Sequence, residues 1–162
     1  MKKLFIIAMC LVSLGLASCN KEKENEKFIG NYAGTISGDA VMTTPLMEEP
    51  FVLEDQGFDV SLQLTAGDQD DEVVASVDLD GEIFSVKGLC NGTHVDFDPF
   101  NQHVAVEGQD MNFIVNLKGD LNGNNLDVAG NVKAEGSITL EDFPIPIPVV
   151  VTADMTGTLI KQ

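Results

Sequence analysis

The chain has no tryptophan, no arginine and a single tyrosine among its 162 residues. Without arginine, all nine basic residues are lysines, set against twenty-six acids and only two histidines. So acidic a surface repels phosphate backbones, which excludes nucleic acid as an expected partner. It repels anionic headgroups as well, so no basic face is available for membrane contact. Cysteine is scarce, with only Cys10, Cys19 and Cys90 present. No Gly-x-Ser-x-Gly, phosphate loop, Cys-x-x-Cys or His-Glu-x-x-His occurs, and no carboxylate pair stands out. An enzyme is not expected, and neither is a cofactor.

Long apolar runs are absent except at the start. Lys2 and Lys3 precede fourteen apolar or small residues, Leu4 to Ala17. A positive start, a hydrophobic middle and small residues at a cut site make a secretory signal. The run is shorter than the roughly 20 apolar residues that cross a bilayer. Leu16-Ala17-Ser18-Cys19 resembles the lipobox of bacterial lipoproteins, whose cysteine is acylated before signal peptidase II cuts in front of it. The resemblance implies a signal over residues 1–18, a lipid on Cys19, and a mature chain tethered to a membrane through that lipid. Loss of Lys2 and Lys3 would leave seven lysines against twenty-six acids, a formal charge of −19.

Cys10 would leave with the signal and Cys19 would carry lipid, so Cys90 has no partner for an internal disulfide. It closes an apolar stretch after Leu89 and is expected to be buried as a small hydrophobe. Asn20 to Lys27 contains no apolar residue and is expected to be a flexible tether, giving a 19–27 linker before the folded 28–162 domain. Its lysine–glutamate alternation resembles the acidic export signals of some lipoproteins. That implies an exported envelope protein, at the outer membrane in preference to the inner.

From Phe28 onward the hydrophobic period is two. Val60, Leu62 and Leu64 alternate with polar neighbours; so do Val73, Ala75 and Val77, and Met111, Phe113, Val115 and Leu117. These read as half-buried strands with one wet face. Asp80-Gly81, Asn91-Gly92 and Asn122-Gly123 supply hairpin chemistry, while 67–71 and Pro99 to Gln102 read as longer polar turns. Eight to ten short strands in hairpin order, with no crossover, predict an all-β antiparallel meander. Closure into a barrel would remove its exposed edges.

The opening strand, Phe28 to Ile36, contains Gly30, Tyr32 and Gly34 in a Gly-x-Tyr-x-Gly-Thr motif. With the lipobox and charged tether, it resembles the calycin-like lipoproteins of Gram-negative bacteria, a largely uncharacterised group with a lipocalin-like β-barrel. The resemblance spans Phe28 to Lys161 in layout. Lipocalins usually carry tryptophan where Tyr32 stands, with an arginine near the end of the last strand packing over it. Here only Lys161 is basic near the end. The resemblance implies a binding module for a small apolar or amphipathic ligand. A protein-interaction role, either inhibitor-like or as an envelope scaffold, is the alternative.

Two proline-stiffened segments differ from the other turns: Thr43 to Phe51, and Phe143 to Pro148. Their prolines cannot donate ladder hydrogen bonds, which protects an edge, and they expose apolar residues. With an even strand number the two segments fall at one end. Leu46, Met47, Phe51, Phe143, Ile145 and Ile147 would then rim one opening. His94, Asp96, Asp98, His103 and Glu107 are the nearest approach to a metal set, on the expectation that residues 99–102 form a hairpin loop. Their face would be the solvated one, where charge pairs across strands are ordinary, so no metal is expected. Asp120 to Asp127 has its glycine at the wrong position for a calcium loop and reads as a hairpin.

Overall fold

The computed structural model describes residues 23–79, 82–106, 109–140 and 143–162. The signal stretch, Cys19, the Asp80-Gly81 turn and Glu107 lie outside the described residues. Nine strands follow one another: β1 (Gly30–Thr43), β2 (Phe51–Ala66), β3 (Glu72–Leu79), β4 (Glu82–Asn91), β5 (His94–Phe97), β6 (Phe100–Val106), β7 (Gln109–Asn122), β8 (Asn125–Leu140) and β9 (Phe143–Lys161). All pairings are antiparallel and form one sheet, with no helix among the described residues.

The sheet returns on itself. β1 lies between β2 and β9, so the first and last strands meet, with Tyr32 opposite Lys161 and Thr43 opposite Val150. β5 pairs with β4 on one side and β7 on the other, which completes a ring of eight strands. β6 continues from β5 and pairs with β7, Phe100 opposite Val115 through to Val106 opposite Gln109. The expected hairpin at 99–102 is therefore not formed. Asp98-Pro99 is a one-residue bulge, since His94 pairs with Asp120 but Phe100 pairs with Val115. Pro99 has no N–H, and the Asp98 N–H is taken by the Lys87 carbonyl at 2.8 Å. These bonds hold the chain in the extended direction.

The turns use glycine differently from the sequence reading. Asn91 pairs with His94 and Asn122 with Asn125, so each asparagine ends a strand. Gly92 (φ 59°) and Gly123 (φ 64°) take the first central position of a two-residue loop, the pattern of a type II′ turn. In β2 the pairing with β1 slips between Gly38 and Ala40. There Asp55 adopts φ 51°, and its N–H donates to Asp39 Oδ1 at 3.0 Å. Aspartate tolerates this conformation better than most residues.

The end of the ring near residues 23–29 is plugged. Phe28, Tyr32, Leu64, Val73, Val95, Leu126 and Leu159 are almost fully buried there and form the main core. Tyr32 Oη donates to the Phe28 carbonyl at 2.8 Å, tying the strand to the turn that precedes it. Residues 23–27, expected to be tether, are partly built into this plug. Asn25 is buried, and its amide donates to the carbonyls of Gln69 (3.1 Å) and Glu72 (2.8 Å). A polar side chain thus joins the interior by satisfying turn carbonyls, which a count of apolar residues does not register.

The 143–148 segment, read as a connection before the last strand, belongs to β9 itself. β1 ends at Thr43, opposite Val150, so this part of β9 pairs with β8 alone. Pro144, Pro146 and Pro148, two residues apart, place their imide nitrogens along one edge and leave the other edge able to donate.

Candidate functional site

Inside the ring, above the plug, lies an apolar cavity of about 190 Å³. Alternation along each strand sends every second side chain inward, so the whole wall contributes. Ile36, Leu62, Val77, Phe84, Val128 and Met155 illustrate this, coming from β1, β2, β3, β4, β8 and β9. Of the sixteen residues that line the space, Asp98 is the one with a polar side chain. Removing that much carbon surface from water makes the space hostile to ions and suited to hydrocarbon.

The wall is incomplete between β4 and β6, and β2 pairs with β3 only over Leu62–Ala66. β5 bridges β4 and β7 only over residues 94–97, and no pairing joins β6 to β4 among the described residues. Above the Lys87–Asp98 hydrogen bond the edges of β4 and β6 face each other without rungs. Across that gap Phe84 and Phe100 meet edge to face, their ring centroids 5.3 Å apart and planes at 74°. This is the favoured geometry for an aromatic pair. Phe97 and Phe100 both line the cavity although three residues apart. Strict alternation forbids that, and the extra residue in the bulge permits it.

The register brings the two proline-bearing segments to the same end of the ring, through the Thr43–Val150 pair. Leu46, Met47, Phe51, Ile145 and Ile147, five of the six residues expected at the mouth, do not line the cavity. Leu46, Met47, Phe51 and Ile145 are exposed, Ile145 by 61%, whereas Ile147 is 6% exposed and buried with Val149. The side chain of Phe143 lies outside the described residues. Val52, Leu53 and Phe58 add to the exposed apolar surface of the tall β1–β2 hairpin. Sequence reading marked the rim but not Phe84, Phe97 or Phe100 as lining. Only closure of the ring brings those three together, and their one trace in the sequence is phenylalanine flanking Asp98-Pro99.

The metal set does not assemble. Because β5 and β6 run on as one line, His94 and His103 are nine residues apart along a strand, roughly 30 Å at strand rise. No group of three or more metal-ligating side chains occurs among the described residues. His94 instead contacts Asp120 (Nδ1–Oδ1 2.9 Å) and Asp96 (Nε2–Oδ1 3.2 Å), and His103 lies 3.6 Å from Asp110. The Asp120 hydrogen bond, then that of Asp96, raises the His94 pKa above its ordinary value. Asp98 is not in either cluster.

Gly30, Tyr32 and Gly34 all lie in β1. A β-carbon on Gly34 would meet the carbonyl oxygen of Thr158 in β9, so glycine lets the first and last strands close up. Cys90 is buried, and burial pushes its thiol up to about 11, which leaves it unreactive. No protein-family model matches this chain, and no curated protein matches its sequence.

Proposed function

We propose that this chain is a cell-envelope lipoprotein whose calycin-like, lipocalin-like barrel binds a small apolar or amphipathic ligand in its interior, without catalysis. The observation that carries this reading is the cavity of about 190 Å³, lined by carbon from every side of the ring. An apolar cavity of about 150 Å³ stays dry and takes up a benzene-sized guest, so the volume suits a compact hydrocarbon. The order of strands supports the calycin assignment, as does the Lys161 ammonium above the Tyr32 ring, where lipocalins place arginine over tryptophan. With Cys19 acylated, the anchor enters beside the plugged end, and the exposed rim lies at the other.

Calorimetric titration with toluene, an uncharged guest small enough for this volume, tests the interior. Binding heat should appear with the wild-type protein and not with Ala75→Phe, which places a ring in the cavity while far-ultraviolet circular dichroism stays unchanged. Undiminished heat with the filled variant would move binding to the exposed rim. That outcome would favour the second reading, a protein-interaction module that docks through Leu46, Phe51, Val52, Leu53 and Phe58. Native mass spectrometry of protein from its own host would show a co-purifying molecule directly. For the anchor, metabolic labelling with a fatty-acid probe should mark the wild type and not Cys19→Ala.

A further inference from the structure

We propose that the open edge of β2 over Gly57–Ser61 takes up an extended basic peptide, one that alternates lysine or arginine with apolar residues and joins the sheet as a further strand. This goes beyond the ligand of the cavity and holds independently of it.

The edge follows from strand pairing. Among the described residues, β9 before Val150 pairs with β8 alone, and β2 over residues 51–61 pairs with β1 alone. The β9 edge is blunted. The Val150 carbonyl faces β1, where it accepts from Thr43 Oγ1 at 3.5 Å, so alternation turns the ring nitrogens of Pro148 and Pro146 to the open side. The β2 edge keeps its donors. Gly67 N–H donates to the Glu72 carbonyl on the β3 side. Counting back by twos, Ser61, Asp59 and Gly57 turn N–H and C=O the same way. β3 parts from β2 beyond the Leu62–Val77 pair, so these groups have no strand beside them among the described residues. No proline interrupts Phe51–Ala66, and the slip at Asp55 ends the straight run. An unpaired edge of this kind is a template for strand addition.

The occupant follows from the two faces beside that edge. Val60 and Leu62 line the cavity, so alternation puts Phe58 on the inner face, where it is 57% exposed. Beyond the bulge, Leu53 stands opposite Ala40 and continues this exposed apolar surface. Asp59 belongs to the outer face, where its carboxylate accepts from Thr35 Oγ1 at 2.8 Å. Asp39, whose Oδ1 accepts the Asp55 N–H at 3.0 Å, adds a second carboxylate near the bulge. An incoming strand would set every second side chain beside Phe58 and the others beside Asp59, which calls for apolar and cationic residues in alternation. Residues 30–66 hold Asp39, Glu48, Glu49, Glu54, Asp55 and Asp59 but no lysine or histidine. A second copy of this chain would bring those acids against their own kind, and like charges facing across strands are destabilising.

The test uses residues 19–162 with Cys19→Ser, which contain every described residue and carry no lipid. Fluorescence anisotropy follows a labelled peptide of alternating lysine and valine, about eight residues long to span the open stretch. It should bind at least about tenfold tighter than the same peptide with glutamate for lysine or serine for valine. N-methyl groups on one alternate set of its amides should weaken binding at least about tenfold, and on the other set less than about twofold, because an added strand donates along one edge only. Gly57→Pro removes an N–H from the open edge and should weaken binding about tenfold; a β-carbon there meets only ordinary contacts with Thr35 and Ser37. Asp59→Lys should weaken it about fivefold, and Asp71→Lys, the same charge change at the plugged end, by less than about twofold. Equal effects of the two lysine variants, equal effects of the two methylated sets, or no binding of the lysine–valine peptide would overturn the proposal. An oligomer in light scattering that Gly57→Pro dissolves would give the edge to a second copy and overturn the occupant. None of these results bears on the interior ligand, which toluene titration reads by itself.

Discussion

The Lys161 ammonium lies 5.7 Å from the centroid of the Tyr32 ring, joining the last strand to the first over the plugged end of the ring. The same ammonium donates to the Lys27 carbonyl at 3.2 Å, and Tyr32 Oη reaches the Phe28 carbonyl at 2.8 Å. Two side chains 129 positions apart thus fasten the segment in front of β1 to both strands of the closure. Burial raises the Tyr32 phenol pKa, so it stays a neutral donor over the working range.

Tyr32→Ala should cost about 3–5 kcal/mol, as truncation of a buried ring does. Tyr32→Phe should cost about 1–3 kcal/mol, because the Phe28 carbonyl loses its donor. Lys161→Met keeps the stem and removes the charge, and should cost about 0.5–1 kcal/mol. Urea unfolding followed by circular dichroism checks the order. A Tyr32→Ala protein as stable as the wild type would contradict the role given to the ring.

Asn25 provides a second fastening. Asn25→Ala removes the donor to the Gln69 and Glu72 carbonyls and should cost about 1–3 kcal/mol. Asn25→Asp, almost the same shape, should be worse than alanine near neutral pH, because it sets a carboxylate against two carbonyl oxygens. Thermal melts of the three proteins rank them; an aspartate variant more stable than the alanine one would refute the assignment.

His94 gives a pH signature. Its pKa is raised in the folded protein, first by the Asp120 hydrogen bond. The stabilisation is therefore complete below the unfolded value of about 6.5 and fades as pH rises through the folded value. Between pH 8 and pH 6 the wild type should gain stability relative to His94→Gln. Asp120→Asn should lower the His94 pKa, read by NMR from the imidazole protons. A His94 titration unaffected by Asp120→Asn would show that the contact does not set it.

The Cys90 thiol, pushed up to about 11 by burial, should be silent to a thiol reagent at pH 8 in the folded protein and react once in denaturant. Rapid labelling of the native state would mean that its surroundings open far more readily than a core position should.

The alternation of apolar and polar residues, read locally, was enough to establish an all-β meander. Val60-Leu62-Leu64 and Met111 to Leu117 point their apolar sides one way whatever they later pack against, because the pleat has a period of two. Proximity in sequence likewise made Gly92 and Gly123 turn residues. Asp98-Pro99 was not legible in this way. Proline after a polar residue suits a reversal or a bulge, and only the partners β4 and β7, with the Lys87 carbonyl holding the Asp98 N–H, chose the bulge. That choice separated His94 from His103, set Phe100 against Phe84 and left the gap beside Asp98. The prolines of β9 and the buried amide of Asn25 were decided the same way, by where β1 ends and where the 67–71 turn leaves its carbonyls. Strand identity is carried by the chain's own periodicity, whereas the cavity and its gap come from hydrogen bonds between residues far apart in sequence.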